Sequence, residues 1–186
     1  MVRHFSDEPV PNDAVERIIE AAQHAPSAGF SQGVSFVAVT DPDLRRQVAE
    51  IADEAEYVGS GFHHFISGAP VQMIICTSEK VYKDRYREPD KKPDPTAEEA
   101  EWPVPYWHTD AGAALMLILL AAVDEGLAGA FVGVWRQRDL QKLLYIPEDF
   151  IPIGVTMIGH PAPDVPSPSL KRGRRSLDAV LHWNGW

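Results

Sequence analysis

The most apolar stretch of the chain runs from Ala111 to Val123, where all thirteen residues are apolar or glycine. A membrane-spanning helix needs about 20 such residues, and Asp110 and Asp124 bracket this stretch closely. A helix that is apolar on every side belongs in a protein interior. The pattern therefore predicts a buried central helix, with Asp110 as its N-cap and Gly126 as the left-handed residue that ends it.

Apolar residues recur with helical or strand spacing in the flanking segments. Residues 12–25 carry Val15, Ile18, Ile19 and Ala22 on one helical face, and Pro26 ends that helix. Asp41-Pro42 predicts the start of a second helix, and residues 61–67 are expected to form a short one. Runs rich in β-branched residues predict four buried strands at 34–40, 70–77, 130–135 and 151–161. Strands interleaved with helices indicate a single α+β or α/β domain spanning residues 1–186.

Residues 79–107 differ from this pattern, because they combine five prolines and many charges with a group of aromatic residues at their end. Long excursions in small domains are often functional, so a lid is expected here. Trp102, Tyr106 and Trp107 have two interpretations that the sequence leaves open: they stack on a planar substrate, or they pack at an interface.

Composition and charge argue against several kinds of partner and site. The 186 residues carry a net charge of -10, which argues against nonspecific binding to nucleic acids or anionic membranes. The single cysteine, Cys76, excludes an internal disulfide and a multi-cysteine zinc site. The N-terminal residues lack the apolar core of a secretory signal, so a cytoplasmic location is expected. No metal site is expected, because the histidines lack the spacing of metal ligands.

Two segments carry candidate chemistry. Residues 29–33 match the G-x-S-x-G nucleophile motif, but here a helix precedes the serine and a strand follows it, which reverses the order that the motif requires. A loop that binds a flat polar ligand through backbone N–H groups and through Ser27, Ser31 and Gln32 is the better interpretation. The cluster at 171–175 is either a solvated patch or a phosphate site that Arg3 joins.

Four segments taken in chain order resemble the FMN-dependent nitroreductase family, and together they span nearly the whole chain. They are Arg3-His4-Phe5 with Pro9-Val10-Pro11, residues 25–33, the apolar helix from Asp110 into residues 126–133, and Arg172 to Leu177 followed by Val180, His182 and Trp183. The resemblance implies an α+β, three-layer fold with a mainly antiparallel sheet and a long buried central helix. It also implies an intertwined homodimer with FMN at the interface.

The resemblance assigns a role to each segment. Arg3 contacts the ribityl or phosphate region of FMN, and Arg172 and Arg174 are its phosphate cations. The 26–32 loop reaches the flavin of the partner subunit, and backbone N–H groups of the 129–133 turn meet the N5–O4 edge of the ring. The implied cofactor-binding residues are Arg3, Pro26, Ser27, Ala28, Gly29, Phe30, Gln32, Gly129, Ala130, Phe131, Gly133, Arg172 and Arg174. The implied substrate contacts are Phe30, Trp102, Tyr106 and Trp107.

In this family the cofactor supplies the chemistry. The resemblance implies that NAD(P)H passes a hydride to flavin N5, and that a nitroaromatic, quinone or similar acceptor then takes the same place in a ping-pong cycle. No catalytic side chain is assigned. Phe30 stands where the family commonly has asparagine, and Val34 where it commonly has tryptophan. Two alternatives stay open: different flavin chemistry on the same fold (reductive dehalogenation or flavin cleavage), and flavin storage without turnover.

Overall fold

A computed structural model describes residues 1–92, 94, 96 and 101–186. Its helices are α1 (Asn12–Gln23), α2 (Pro42–Ile51), α3 (Glu54–Gly59), α4 (Glu79–Arg85), α5 (Tyr106–Asp124) and α6 (Gln137–Leu143). Its strands are β1 (Val34–Val39), β2 (Val71–Thr77), β3 (Ala128–Val132) and β4 (Ile151–Gly159). Pro93, Pro95 and residues 97–100, which belong to the predicted lid, lie outside the described residues.

The four strands form one antiparallel sheet in the order β1-β2-β4-β3. The central strand β2 is buried along its whole length, as its mainly apolar sequence predicts. At one end of the sheet Val34 pairs with Thr77, and Thr77 pairs with Ile151. At the opposite end Val71 pairs with Ile158, and Gly159 pairs with Ala128.

Helices cover both faces of the sheet. Val48 of α2 and Leu140 of α6 pack on one face, while Ile18 of α1 and Ile118 of α5 pack on the other. Each face thus has its own apolar core, and the arrangement is helix, sheet, helix. The predicted α+β fold with three layers and a mainly antiparallel sheet is confirmed.

The central helix α5 begins at Tyr106, so the prediction that Asp110 is its N-cap is wrong. Pro105 takes the N-cap position, and Asp110 lies one turn inside the helix with its carboxylate directed toward another segment. The other end is as predicted. Gly126 has φ +74°, and the Leu127 N–H donates to the Ala122 carbonyl at 2.8 Å, which is a Schellman motif.

Helix α5 buries one face and leaves the other open. Ala111, Ala114, Ile118 and Ala122 are buried, whereas Met116 and Leu120 on the opposite side are 51% and 57% exposed. By length and hydropathy alone the helix is apolar enough to span a membrane. Its packing on α1 and on β3 makes it the core helix of this fold, with an apolar face that its own chain does not cover.

Residues 61–67 form turns rather than the predicted helix. The buried Glu54 carboxylate accepts hydrogen bonds from the Ile66 N–H at 2.6 Å and from the Ser67 N–H at 2.9 Å. The Ser67 hydroxyl also donates to it at 2.6 Å. A side chain of α3 therefore satisfies backbone groups that a helix would have paired internally.

Candidate functional site

The segment between α1 and β1 forms a loop with three residues in the left-handed region. Gly29, Phe30 and Gln32 have φ values of +62°, +57° and +53°. Only glycine adopts this region without steric cost, so two of these residues are strained. The loop directs Phe30 outward, with 72% of the residue exposed.

A carboxylate from the central helix anchors this loop. Asp110 Oδ2 accepts hydrogen bonds from the Ala28 N–H and from the Tyr82 hydroxyl, both at 2.8 Å. Within the loop, the Gln32 N–H donates to Ser27 Oγ at 2.7 Å. Burial raises the pKa of Tyr82, and its hydrogen bond to Asp110 acts in the same direction. The Tyr82 hydroxyl therefore stays a proton donor at neutral pH.

Helix α4 and Tyr86, the residue that follows it, contact the 26–32 loop. The Arg85 Nε–H donates to the Gly29 carbonyl at 3.1 Å. The other two guanidinium nitrogens donate to the two oxygens of the Asp90 carboxylate. A Cβ atom at Gly29 would lie 2.5 Å from a ring carbon of Tyr86. The 79–107 segment, predicted as a lid, thus includes a helix that acts as a support for the 26–32 loop.

The geometry is incompatible with a hydrolase nucleophile at Ser31. This residue is 8% exposed, and its hydroxyl donates to the Ala28 carbonyl at 2.6 Å within the same loop. A nucleophile elbow instead holds its serine exposed at a tight turn that a strand enters.

A groove of about 450 Å³ opens beside the loop. It combines polar and apolar side chains, as small-molecule sites commonly do. Its lining includes Gln23, His24, Ser27, Phe30, Gln32, Phe36 and Asp110. Predicted residues Pro26, Ser27, Phe30 and Gln32 therefore lie together at one groove.

The aromatic residues predicted as substrate contacts separate into two classes. Trp102 and Tyr106 form a cluster with Tyr86, with the Trp102 and Tyr86 ring centres 4.7 Å apart. Trp107 is only 8% exposed and packs edge-on against Tyr82. The Trp107 ring also lies 5.8 Å from the Trp102 ring, so it joins the cluster to the core, and its direct contact with substrate stays a prediction.

A second group of predicted residues lies at the far end of the sheet. The Val2 N–H donates to the Gly129 carbonyl at 3.2 Å, which brings Arg3 beside the start of β3. The Arg3 guanidinium lies 5.0 Å from the centre of the Phe62 ring, and the Arg3 N–H donates to Asp164 at 2.7 Å. Arg3 thus lies beside Gly129 at the start of β3, the strand that occupies most of the predicted 129–133 turn.

Strand β3 is an edge strand, and the Val2–Gly129 bond shows which of its groups face outward. Backbone N–H and C=O groups alternate in direction along a strand. The N–H and C=O groups of Gly129, Phe131 and Gly133 therefore face away from β4. Ala130 directs its own toward β4, and its side chain is fully buried in the core. Within one chain the backbone and the side chain of Ala130 are thus engaged by β4 and the core, and its part in cofactor binding stays a prediction.

Residues 162–186 form an arm that leaves the sheet next to Arg3. The arm contains two short 3-10 turns, and Arg172 and Arg174 are exposed along it. Trp183 and Trp186 at its end are also exposed. Arg3 and the start of β3 lie at the Val71–Ile158 end of the sheet, whereas the 26–32 loop leads into Val34 at the Thr77 end. Across the sheet, strands β2 and β4 lie between β1 and β3. The two groups of predicted residues therefore do not meet within one chain.

The family model described as the nitroreductase family matches residues 1–160. The chain belongs to the nitroreductase family. An FMN reductase [NAD(P)H] of Bacillus subtilis is 31% identical over 184 residues, which cover 97% of this chain and 68% of that protein. An iodotyrosine deiodinase of Haliscomenobacter hydrossis is 26% identical, over 97% of this chain and 84% of that protein. The NADPH:FMN oxidoreductase of Vibrio harveyi, solved with NAD+, matches with a TM-score of 0.72 and 26% identity, over 100% of this chain and 73% of that one.

Three residues of this nitroreductase-family site were not found from the sequence. The sequence predicts Asp110 as a helix cap, and Tyr82 and Arg85 lie in the segment that it predicts as a lid. No local pattern identifies them, because their partners lie 82, 28 and 56 residues away along the chain. The one available signal is Asp110 itself, a carboxylate at the edge of an otherwise apolar helix.

Proposed function

We propose that the protein passes a hydride from NAD(P)H, through FMN held between two copies of the chain, to a nitroaromatic, quinone or similar acceptor in a ping-pong cycle. The enzyme class follows from the family and its named relatives: the chain is an FMN-dependent NAD(P)H oxidoreductase. The acceptor, the cycle, the homodimer and a cytoplasmic location are proposals.

The residues present fit a flavin phosphate. Arg3, Arg172 and Arg174 are cations in a chain whose net charge is -10, and arginine matches the geometry of phosphate oxygens. The open edge of β3 supplies N–H donors at Phe131 and Gly133, and a Cβ at Gly133 would meet nothing within 4 Å. There is thus room for a flat group to approach this backbone closely.

FMN, when bound, accepts a hydride from NAD(P)H and passes electrons to the acceptor. The chain's own part is to bind and orient. The Phe131 and Gly133 N–H groups would stabilise negative charge at the ring edge. The 26–32 loop of one copy would cover the ring held by the other copy, with Phe30 as a stacking surface for the group that exchanges electrons.

The observation that carries this proposal is the separation of the two residue groups across the sheet. Each chain builds a loop beside one edge strand, β1, and cations with a free strand edge at the opposite edge strand, β3. A two-fold dimer would bring unlike edges of two chains together and complete two equivalent sites. The open apolar face of α5 provides the surface on which the two copies would meet.

The test is a visible absorption spectrum of the purified protein followed by anaerobic titration with NADH and NADPH. We expect flavin bands that bleach with a stoichiometric amount of one nucleotide, and that return when p-benzoquinone or nitrofurazone is added. A colourless protein whose thermal stability is unchanged by FMN would contradict the proposal. Bound flavin that resists both nucleotides would favour storage instead.

Reductive dehalogenation is the second candidate, because an iodotyrosine deiodinase matches nearly the whole chain. In that case the reduced protein would release iodide from 3-iodotyrosine. Iodide measurement beside quinone reduction, at equal flavin concentration, separates the two activities.

A further inference from the structure

A chain of hydrogen bonds connects the central helix to the 26–32 loop. The Asp110 carboxylate accepts from the Ala28 N–H and from the Tyr82 hydroxyl, and the Tyr82 hydroxyl also interacts with the Ser27 side chain. Ser27 Oγ in turn accepts from the Gln32 N–H. The contacts therefore reach both ends of the left-handed stretch.

We propose that Asp110, acting through Tyr82 and the Ala28 N–H, is a positioning residue that holds the 26–32 loop ready to bind the flavin ring. The proposal rests on the proposed function, in which this loop contacts FMN. It assigns to Asp110 and Tyr82 an effect on cofactor affinity, although neither needs to touch the cofactor.

The strained backbone explains why such a residue is needed. Phe30 and Gln32 both have positive φ, and non-glycine residues persist in that region only where their surroundings fix them. Freed from its anchor, the loop would relax toward ordinary backbone conformations. Phe30 would then lose the orientation in which it extends from the surface.

The anchor itself is rigidly placed. Asp110 is buried within the second turn of α5, and hydrogen bonds to a carboxylate are stronger than those between neutral groups. The Tyr82 ring is fully buried, packs against Trp107 and fills the space beside Gly33. Its hydroxyl is therefore held in place before any ligand arrives.

A loop that is already ordered binds more tightly, because binding does not have to order it. Loss of one hydrogen bond to a carboxylate corresponds to roughly a tenfold loss of affinity or more. We therefore expect Tyr82→Phe and Asp110→Ala each to raise the Kd for FMN about tenfold or more. Asp110→Asn should restore the affinity, since its amide oxygen accepts from the same two donors.

Thr77→Val is the matched control. The buried Thr77 hydroxyl donates to the Trp107 carbonyl at 2.8 Å, so it also joins the sheet to α5, but it has no bond to the loop. This variant should lower the melting temperature as Tyr82→Phe does, and leave the Kd for FMN unchanged.

The experiment measures FMN Kd by flavin fluorescence quenching, the melting temperature of each FMN-free protein, and hydrogen exchange of the Ala28 and Gln32 amides without FMN. We expect faster exchange of these amides in Tyr82→Phe and Asp110→Ala, but not in Thr77→Val. The positioning role is overturned if the Kd for FMN rises wherever the melting temperature falls, in Thr77→Val as in the other variants. It is also overturned if hydrogen exchange at Ala28 and Gln32 is unchanged. A wild-type protein that binds no FMN overturns the proposed function instead, and removes the affinity effect with it.

Discussion

The two edge strands of the sheet, here called the β1 end and the β3 end, differ in how much of the candidate site a single chain builds. At the β1 end, the 26–32 loop is fixed by Asp110, Tyr82 and Arg85 from its own chain. At the β3 end, the strand edge is open, and Arg172 and Arg174 lie exposed on an arm. In the proposed dimer, one half of the site is prepared during folding of the chain, and a second copy would complete it.

Because of this difference, substitutions at the two ends should affect cofactor binding in different ways. Changes at the β1 end should act through the conformation of one loop, and so should weaken cofactor binding by degrees. Changes at the surfaces that would face a second copy should remove the site as a whole, because the proposed site needs both halves to bind the cofactor.

The largest effect is expected from Met116→Asp combined with Leu120→Asp on the open face of α5. Two carboxylates there should prevent association of two apolar faces, while the chain itself still folds because both positions are exposed. Sedimentation should show a monomer, circular dichroism a folded chain, and absorption no bound flavin. A dimeric, yellow variant would show that this face is not the interface.

Ile118→Asp is the comparison for that variant, because Ile118 lies on the same helix but is fully buried. A buried unpaired carboxylate costs several kcal/mol, roughly the stability of a small domain. We expect this variant to be unfolded by circular dichroism, which separates loss of fold from loss of association.

A smaller effect is expected from Arg172→Ala combined with Arg174→Ala. Two charge-assisted bonds to phosphate would be lost, which corresponds to roughly a hundredfold weaker FMN binding or more. Riboflavin has no phosphate and should bind the variant and the wild type equally. Arg138→Ala with Lys142→Ala removes two exposed cations from α6 and should leave FMN binding unchanged. If the variant binds riboflavin and FMN more weakly by the same factor, the arm does not contact the phosphate.

Gly29→Ala should have a more moderate effect at the β1 end. The new methyl group would lie 2.5 Å from Tyr86 in a backbone with φ +62°, which costs about 1–2 kcal/mol. We expect about tenfold weaker FMN binding by fluorescence titration. Gly59→Ala is the control, because a Cβ there meets nothing within 4 Å. Equal effects of both variants would contradict a special role of the left-handed loop.

The smallest effect is expected at Cys76, in the strand that connects the two ends. Burial raises the pKa of its thiol from 9.0 to about 12, so the folded protein should not react with a thiol reagent at pH 8, with or without FMN. Between pH 9 and 12 the unfolded chain loses this proton first, so the thiol should lower stability as pH rises. Rapid labelling of the native protein would show that β2 opens locally.

Local patterns predicted much of the fold. The spacing of Val15, Ile18 and Ala22 identified α1, Gly126 marked the end of α5, and mainly apolar runs located β2 and β4. These features depend on neighbours within one or two turns, and so they are visible in a single segment.

Features that depend on distant partners were not predicted. Asp110 and Glu54 are both carboxylates near helix starts, yet each pairs with backbone N–H groups of another segment. The resemblance implies that Ala130 binds cofactor, but the direction of its backbone follows from the pairing of β3 with β4. Pairing partners and helix directions are properties of the assembled fold, which a segment alone does not specify.

The separation of the loop from the arm predicts that two inactive variants can complement each other in mixed dimers. Because each site would combine the loop of one chain with the arm of the other, a chain defective in the loop and a chain defective in the arm carry faults at different sites. Mixed dimers would gather both faults in one site and leave the second intact. Random exchange of two inactive variants, Gly29→Asp and Arg172→Glu with Arg174→Glu, would therefore restore about one quarter of the wild-type activity per dimer.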